Sequence, residues 1–214
     1  MSSRNYTFMD NLLSQADRAL RTLSRSANKA GRRSPAEEIA ELELSDTESK
    51  HSVGLMRINH TGEVCAQALY QGQALTAKLG GVREAMEHAA EEEVDHLVWC
   101  EDRLSELGAR PSHFNPGWYG LSFTIGALAG IAGDKWSLGF VAETEHQVCR
   151  HLEAHLNQLS DSDRRSRSII EQMKVDELSH AASAIDAGGA MLPLPVRLAM
   201  KASSKVMTKT VYFF

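Results

Sequence analysis

The chain has 214 residues, of which 43% are hydrophobic and 6% aromatic, and its formal net charge at pH 7 is −5. A chain of this length can bury the core of one domain without disulfides or structural metals. The negative net charge argues against a nucleic-acid-binding function, because such proteins need a basic face to neutralise phosphates.

Helix-forming residues dominate the composition, since Ala, Leu, Glu, Gln and Met recur while β-branched runs are few, and an all-α fold is predicted. The first predicted element, within residues 1–24, is an amphipathic helix whose apolar residues share one face. These residues are Phe8, Met9, Leu12, Leu13, Ala16, Leu20 and Leu23. Residues 25–47 combine Ser, Arg, Gly, Pro and acidic residues, which is typical of a flexible or loosely packed polar linker.

Four long helices are predicted in the remaining domain, residues 48–214, at about 48–79, 82–107, 135–159 and 162–187. Glycines end three of these helices, and a Ser-Asp-Ser-Asp run precedes the fourth as a cap. A long connection with an apolar stretch separates the second helix from the third, so two antiparallel hairpins are joined by a crossover. This is the topology of a ferritin-like four-helix bundle.

Two apolar segments of this domain could contact a membrane surface. The stretch Trp118–Gly133 falls short of the roughly 20 residues that a spanning helix needs, and Asp134 and Lys135 follow it. Residues 193–214 combine Arg197 and three lysines with apolar residues and contain no acid, which is a basic amphipathic pattern. The alternative for this C-terminal amphipathic helix is packing on the bundle or on a second subunit.

The cysteines and the N terminus indicate a reducing compartment. Cys65, Cys100 and Cys149 are odd in number and lack Cys-x-x-Cys spacing, which predicts free thiols. The first ten residues are polar and contain no apolar core of a signal peptide. We therefore expect a cytoplasmic protein.

Three Glu-x-x-His pairs occur in the predicted helices, and they are Glu93/His96, Glu143/His146 and Glu177/His180. Such a pair places a carboxylate and an imidazole one turn apart on the same helix face, where both can ligate one ion. A chain this rich in glutamate and histidine is expected to contain such a pair by chance. A single pair is therefore weak evidence for a metal site.

Spacing distinguishes two of the three pairs. A glutamate of the preceding helix stands 30 residues before Glu93, at Glu63, and 32 residues before Glu177, at Glu145. Each half of the domain thus consists of a helix with one glutamate, a turn, and a helix with Glu-x-x-His. Two such halves place four carboxylates and two imidazoles around one point, which is the ligand set of di-iron and di-manganese carboxylate bundles.

The helix faces favour the same six residues. Glu145 interrupts an apolar seam of its helix, whereas Glu143 lies on another face, so Glu143/His146 is interpreted as the chance pair. Glu92 is predicted to be solvated. The remaining glutamates of the site lie among apolar residues: Glu63, Glu93 and Glu177.

Burying four carboxylates is very costly unless a cation compensates them, so the pattern predicts bound metal. Carboxylate-rich sites with one imidazole per ion suit Fe(II) or Mn(II) better than zinc. The alternative is an ordinary helical bundle whose glutamates are solvated surface charges.

The first and second metal helices resemble those of a known family. The segment Arg57-Ile-Asn-His60-Thr-Gly62-Glu63, with Tyr70-Gln-Gly72-Gln73 after it, is similar to the first metal helix of the demethoxyubiquinone hydroxylases, and Glu93-Val-Asp95-His96 is similar to the second. The resemblance covers about residues 51–214. It implies six metal ligands, with the glutamates at 93 and 177 as bridges: Glu63, Glu93, His96, Glu145, Glu177 and His180.

One further histidine matches the site of that family. His151 stands six residues after Glu145, and the resemblance implies that it belongs to the catalytic site outside the metal ligands. The tyrosine that follows this histidine in some relatives is Leu152 here, so no role can be carried over for its hydroxyl.

What the resemblance implies is a monooxygenase. Two iron ions per chain would activate O2, and the oxygen would hydroxylate the ring of 3-demethoxyubiquinol, a polyprenylated quinol, in ubiquinone biosynthesis. Neither a Gly-x-Gly-x-x-Gly motif nor a P-loop occurs, so electrons would come from NADH bound without a dinucleotide fold or from a partner protein.

The expected partners are the quinol, other ubiquinone-biosynthesis proteins, and a second copy of the chain in a homo-oligomer. Because the substrate resides in the bilayer, the enzyme is expected at the cytoplasmic face of the cell membrane, bound peripherally. Two other functions stay open at this point. A ferritin-like iron-oxidising or storage protein shares the ligand plan, and a non-catalytic helical interaction module would bind no metal.

Overall fold

The computed structural model describes residues 8–24 and 28–214, and within them it contains seven helices and no strand. The helices are α1 Phe8–Leu23, α2 Asp46–Thr76, α3 Gly80–Glu106, α4 Asn115–Ala132, α5 Asp134–Leu156, α6 Arg164–Asp186 and α7 Leu194–Val211. The predicted all-α fold is confirmed, and the four predicted long helices correspond to α2, α3, α5 and α6. The predictions for residues 1–7 and 25–27, and for the side chains of Phe8 and Leu12, lie outside the described residues.

The bundle is built from two antiparallel helix pairs. α2 packs against α3 and α5 packs against α6, while the crossover helix α4 lies along α2. A capping box starts α2, because the Ser45 hydroxyl accepts a hydrogen bond from the Glu48 N–H and the Glu48 carboxylate accepts one from the Ser45 N–H. Asp163 caps α6 by accepting from the Ser166 N–H at 3.1 Å, at the end of the predicted Ser-Asp cap.

Glycines allow α4 to approach α2 very closely. A Cβ at Gly126 would collide with the Leu69 carbonyl, and a Cβ at Gly72 would collide with the Phe123 carbonyl. Gly126 of the apolar stretch therefore serves contact between two helices of this chain. Within the described residues, no helix is long and apolar enough to cross a membrane.

The N-terminal helix forms as predicted, but most of its described apolar residues face away from the bundle. Met9, Leu13 and Leu20 are exposed. The helix contacts α2 through Thr22, whose hydroxyl donates a 2.7 Å hydrogen bond to Gln67 Oε1 in a buried position. Ala19 and Leu23 also pack against a core cluster that contains residues of α2, so polar and apolar residues of α1 share the interface.

Residues 28–41, here called the anchored segment, are packed on the bundle rather than loosely connected. Ala36 is buried in the main core cluster. The fully buried Arg103 of α3 donates to Glu41 at 2.5 and 3.0 Å, and it also donates to Asp163 at 2.8 Å. The expectation of a loose linker is wrong over this segment, because ion pairs with distant helices hold it without any apolar periodicity.

Candidate metal centre

Four carboxylates meet in the middle of the bundle, one from each long helix. Glu63 comes from α2, Glu93 from α3, Glu145 from α5 and Glu177 from α6, and each residue is 3% exposed or less. Each glutamate lies on the buried face of its helix, so helix packing carries the carboxylates into the interior. The predicted convergence of these four residues is therefore present in the structure.

Both histidines direct Nδ1 toward these carboxylates. His96 Nδ1 lies 2.9 Å from Glu93 Oε2 and 3.1 Å from Glu177 Oε1. His180 Nδ1 lies 3.1 Å from Glu93 Oε1 and 3.2 Å from Glu177 Oε2. Glu93 and Glu177 thus each present one oxygen to each histidine. A carboxylate in this position can bridge two ions that are each bound by one of the histidines.

The other two glutamates flank this central group. Glu63 Oε2 lies 3.8 Å from His96 Nδ1, and donor atoms of Glu63, Glu93, His96 and Glu177 lie within 4.8 Å of one another. Glu145 accepts a short hydrogen bond from the Tyr70 hydroxyl. The structure therefore brings together the residues predicted as ligands and adds Tyr70 as a partner that sequence reasoning did not assign.

The electrostatics of the group are those of a site that needs a cation. Burial, with repulsion from Glu93 and Glu177, raises the pKa of Glu63 well above its ordinary value. Burial and the same kind of repulsion also raise the pKa of Glu145. For His180, burial acts to lower the pKa, but its contacts with the carboxylates of Glu177 and Glu93 outweigh it and raise the pKa to about 11. The buried carboxylates thus carry clustered negative charge of the kind that bound metal ions compensate.

The donor set fits two ions of the iron or manganese type. Glu93 Oε1 is buried and accepts no hydrogen bond, although His180 Nδ1 lies 3.1 Å away. Such an oxygen is costly to bury unless a cation binds it. Oxygen-rich donors with one imidazole per ion suit Fe(II) or Mn(II). The site could therefore hold two such ions between the four carboxylates and two imidazoles.

The outer nitrogens of the two histidines contact carboxylates in a reciprocal pattern. His96 Nε2 of α3 lies 2.9 Å from Asp176 Oδ2 of α6, and His180 Nε2 of α6 lies 3.2 Å from Glu92 Oε2 of α3. Each of these acids directly precedes a central glutamate in the sequence. Metal-binding histidines usually donate their second N–H to such a group. These two acids were not predicted from the sequence as partners of the histidines, although an acid stands directly before Glu93 and before Glu177.

The third Glu-x-x-His pair lies apart from the cluster. Glu143 accepts hydrogen bonds from Arg197 of α7 at 2.9 Å and from Gln147 of its own helix at 2.8 Å, and the first of these contacts joins α5 to α7. The interpretation of Glu143/His146 as a chance pair agrees with this placement.

An apolar cavity of about 180 Å³ begins beside Glu63 and is bordered by α2, α4, α5 and α7. His151 lines it, and His151 Nε2 lies 3.4 Å from the Ser204 hydroxyl, which also lines it. Burial, with the charges of Arg150 and Lys201, lowers the pKa of His151, so its imidazole is neutral near pH 7. Much of the remaining wall is apolar: Ile58, Leu69, Trp118, Leu121, Val148 and Met200.

The chain is similar to a known protein family and to several named bacterial enzymes. The model of the family described as ubiquinone biosynthesis protein COQ7 matches residues 50–211. The 3-demethoxyubiquinol 3-hydroxylase of Pseudomonas putida (strain W619) is 60% identical over 211 residues, which are 99% of this chain and 98% of that protein. A protein of the same name from Pseudomonas fluorescens (strain SBW25) is 61% identical with the same coverage. The Pseudomonas aeruginosa (strain LESB58) protein is 58% identical.

The fold is similar to that of a solved dodecameric thioferritin, the bacterioferritin-related protein of Bacteroides fragilis. The TM-score is 0.55 at 20% sequence identity, and the match covers 76% of this chain and 92% of that chain. At this identity the likeness concerns the fold alone. It confirms the predicted ferritin-like bundle with its crossover.

Proposed function

The chain belongs to the family of the ubiquinone biosynthesis protein COQ7, and on that premise we propose that it hydroxylates the ring of 3-demethoxyubiquinol with O2 by means of a two-iron centre. The hydroxylase relatives match nearly the whole chain at about 60% identity, which supports the same reaction here. The iron centre is supported by one observation above the others, the paired contacts of Glu93 and Glu177 with both histidines.

In this proposal the six predicted residues divide between two ions. Glu93 and Glu177 would each bind both ions. Glu63 with His96 would bind one ion, and Glu145 with His180 would bind the other. When bound, two ferrous ions supply the electrons and the open coordination positions that reduction of O2 requires. Tyr70 holds Glu145 through its hydroxyl, and the outer acids hold the two imidazoles in the orientation that presents Nδ1 inward.

The cavity beside Glu63 is the proposed site for the quinol ring. Its apolar wall excludes water from the reacting ring and matches the first part of a polyprenyl tail. His151 and Ser204 place two polar groups in this wall, where they can form hydrogen bonds with a quinol hydroxyl. Because the imidazole of His151 is neutral, it can accept a proton from that hydroxyl.

We further propose NADH as the reductant. The described residues contain no strand, so they lack the strand-turn-helix unit that commonly binds dinucleotides. NADH would therefore bind on a helical surface or deliver its electrons through a partner protein.

The proposed location is the cytoplasmic face of the cell membrane, with peripheral binding of a homo-oligomer. Residues of α4 and α7 border the cavity, and both helices carry exposed apolar residues. These are Leu121, Leu128, Ile131, Leu194, Leu198 and Val206. Exposed Lys201, Lys205 and Lys209 on α7 would lie near anionic head groups. This arrangement supports entry of a membrane-resident tail between α4 and α7.

The test combines iron content with lipid analysis. Glu177→Ala should keep the helix content of the wild type but lose bound iron, because Glu177 contacts both histidines. Glu171→Ala, which removes an exposed glutamate of the same helix, is the matched control and should keep two irons per chain.

A deletion strain should accumulate the demethoxy quinol precursor, and the wild-type and Glu171→Ala genes should restore the mature quinone while Glu177→Ala should not. Two irons bound per chain in Glu177→Ala would contradict the ligand assignment. Normal quinone in the deletion strain would contradict the reaction, and would favour an iron-oxidising or storage protein.

A further inference from the structure

The two histidines of the metal centre differ in how their outer nitrogens are held. The His96 side chain is completely buried, whereas 13% of the His180 side chain is exposed. Asp176, the partner of His96, has a side chain 16% exposed, while that of Glu92, the partner of His180, is 45% exposed. The two halves supply the same type of partner, but one of these partners lies largely in solvent.

Arg32 reinforces the His96 half of the centre. Its Nη2 lies 2.9 Å from Asp176 Oδ2, the oxygen that contacts His96, and its Nε donates to Asp95 Oδ2 at 2.6 Å. The guanidinium carbon lies 4.9 Å from the centre of the Trp99 ring, and that ring lies 5.5 Å from the His96 ring. One side chain therefore reaches His96 by two routes, through a carboxylate and through an aromatic ring.

The backbone that carries Arg32 is itself fixed. The Gly31 N–H donates a 2.6 Å hydrogen bond to Asp95, which also accepts from Arg32. Ala36 is buried in the core, and Glu41 pairs with the buried Arg103. The anchored segment thus delivers Arg32 from a restrained position, which lowers the entropy lost when its contacts form.

Glu92 receives no comparable support. Among the described residues, no arginine or lysine side chain lies within ion-pairing distance of it. Its other neighbour is His88, whose Nε2 lies 3.9 Å from Glu92 Oε1 and whose side chain is 72% exposed. The Arg32 side chain is also 46% exposed, but its carboxylate partners are only 10% and 16% exposed. In the contact between His88 and Glu92 both side chains are exposed, so water screens that contact more and it restrains Glu92 weakly.

We propose that Arg32 is a positioning residue that makes the His96 side the tighter of the two metal positions. This inference rests on the proposed two-metal centre. Outer partners that orient a ligating histidine typically change metal affinity by about 10- to 100-fold. The ion beside His96 accordingly binds first and leaves last, while the ion beside His180 exchanges with solvent. The segment before the bundle therefore completes the metal centre.

The test compares the wild type with Arg32→Gln, and uses Arg33→Gln as a matched control. Arg33 is exposed and forms no hydrogen bond or ion pair with other residues that the structure describes. Protein loaded anaerobically with two equivalents of Fe(II) is mixed with the chelator ferrozine, and iron release is followed by absorbance. We expect two phases of equal amplitude in the wild type. Arg32→Gln should accelerate the slower phase about 10- to 100-fold, and Arg33→Gln should change neither phase.

A second measurement assigns the phases to positions. Crystals of metal-free protein soaked with less than one equivalent of Mn(II) should show anomalous scattering mainly beside His96 in the wild type, and more evenly at both positions in Arg32→Gln. A general loosening of the fold would accelerate both phases equally. The thermal midpoint and helix content of the metal-free variants show whether such loosening occurs.

Equal filling of both positions in the wild type would overturn the inference, as would equal acceleration of both phases in Arg32→Gln. If the wild type binds two ions but either of these outcomes is found, the proposed function still stands. Failure of the wild type to bind two ions would overturn the proposed function and this inference with it.

Discussion

His155 shows how a single buried side chain makes stability depend on pH. Its Nδ1 lies 2.7 Å from Asn59 Oδ1, and the residue is 6% exposed. Burial, with the charges of His151 and His51, lowers its pKa from 6.5 to about 4. Between these two pH values the unfolded chain binds a proton at His155 that the folded chain does not. Folding is therefore weakened as the pH falls through this window, and the contribution is fully present above it.

We predict that His155→Gln removes this dependence. The amide of Gln stays neutral and can still donate to Asn59, so the variant takes up no proton at this position. The free energy of unfolding of the metal-free wild type should fall relative to the variant by roughly 3 kcal/mol as the pH drops from 6.5 to 4. Urea unfolding at stepped pH measures this difference, and the titration of groups that do not interact with His155 cancels. A difference that is constant across this range would contradict the prediction.

The convergence of the proposed metal ligands could be predicted from sequence because each one is a strong chemical anomaly at a regular position. Glu145 stands in an apolar seam, and its spacing to Glu177 repeats that of Glu63 to Glu93. Arg32, which contacts the outer carboxylate of the His96 half, has no such regularity. Its position depends on the path of an irregular segment across two helices, and periodicity carries no information about such a path.

At the scale of helices, the glycines of α4 determine how closely it lies to α2. Gly126 meets the Leu69 carbonyl, whereas a Cβ at Gly120 would meet nothing within 4 Å. We predict that Gly126→Ala destabilises the protein by about 1–3 kcal/mol, because the added methyl group forces the two helices apart. Gly120→Ala should be neutral or stabilising by up to about 1 kcal/mol, since alanine favours helix. Urea denaturation midpoints compare the two, and equal effects would show that the helix contact is not tight.

The ion pairs of Arg103 hold α3, α6 and the anchored segment together. Arg103 and Asp163 are both fully buried, and removing the cation leaves the carboxylate unpaired. We predict that Arg103→Met lowers the free energy of unfolding by about 3–5 kcal/mol. Chemical unfolding measures the loss, and the exposed pair Arg21–Asp17 provides the control, because Arg21→Met should change stability by about 1 kcal/mol or less.

A double variant separates charge burial from lost packing. Asp163→Asn keeps the cap on the Ser166 N–H and removes the buried charge. Added to Arg103→Met, it should restore part of the stability, because no unpaired charge is then buried. If the double variant is no more stable than Arg103→Met alone, lost packing rather than the unpaired charge explains the loss.

The long helices were predictable because each repeats an apolar pattern, yet two other elements behaved differently. Only the C-terminal part of the predicted apolar face of α1 packs on the bundle, through Leu23, and the buried hydrogen bond from Thr22 to Gln67 lies beside it. The anchored segment is polar, and Glu41 is fixed by an arginine 62 positions away. Composition describes local preferences, whereas these contacts depend on the tertiary arrangement of other helices.

At the scale of the whole molecule, charge and apolar surface are unevenly distributed. The chain has a net charge of −5, but α7 carries four basic residues and no acid. α7 borders the apolar cavity, and its exposed leucines lie on the same helix as its lysines. Such a helix would bind an anionic membrane by both apolar insertion and electrostatic attraction.

We predict that Lys201→Glu/Lys205→Glu weakens binding to anionic vesicles by about 2 kcal/mol or more, which is roughly 30-fold, since each lysine near such a surface contributes about 1 kcal/mol. Co-sedimentation with vesicles containing phosphatidylglycerol measures the binding, and the wild-type affinity should fall as salt is raised. Lys29→Glu/Arg33→Glu changes the net charge equally on the anchored segment, which packs against α3 and α6, away from the cavity. This control should bind nearly as the wild type does. Equal loss in both double variants would mean that net charge, not the face formed by α7, governs attraction to the membrane.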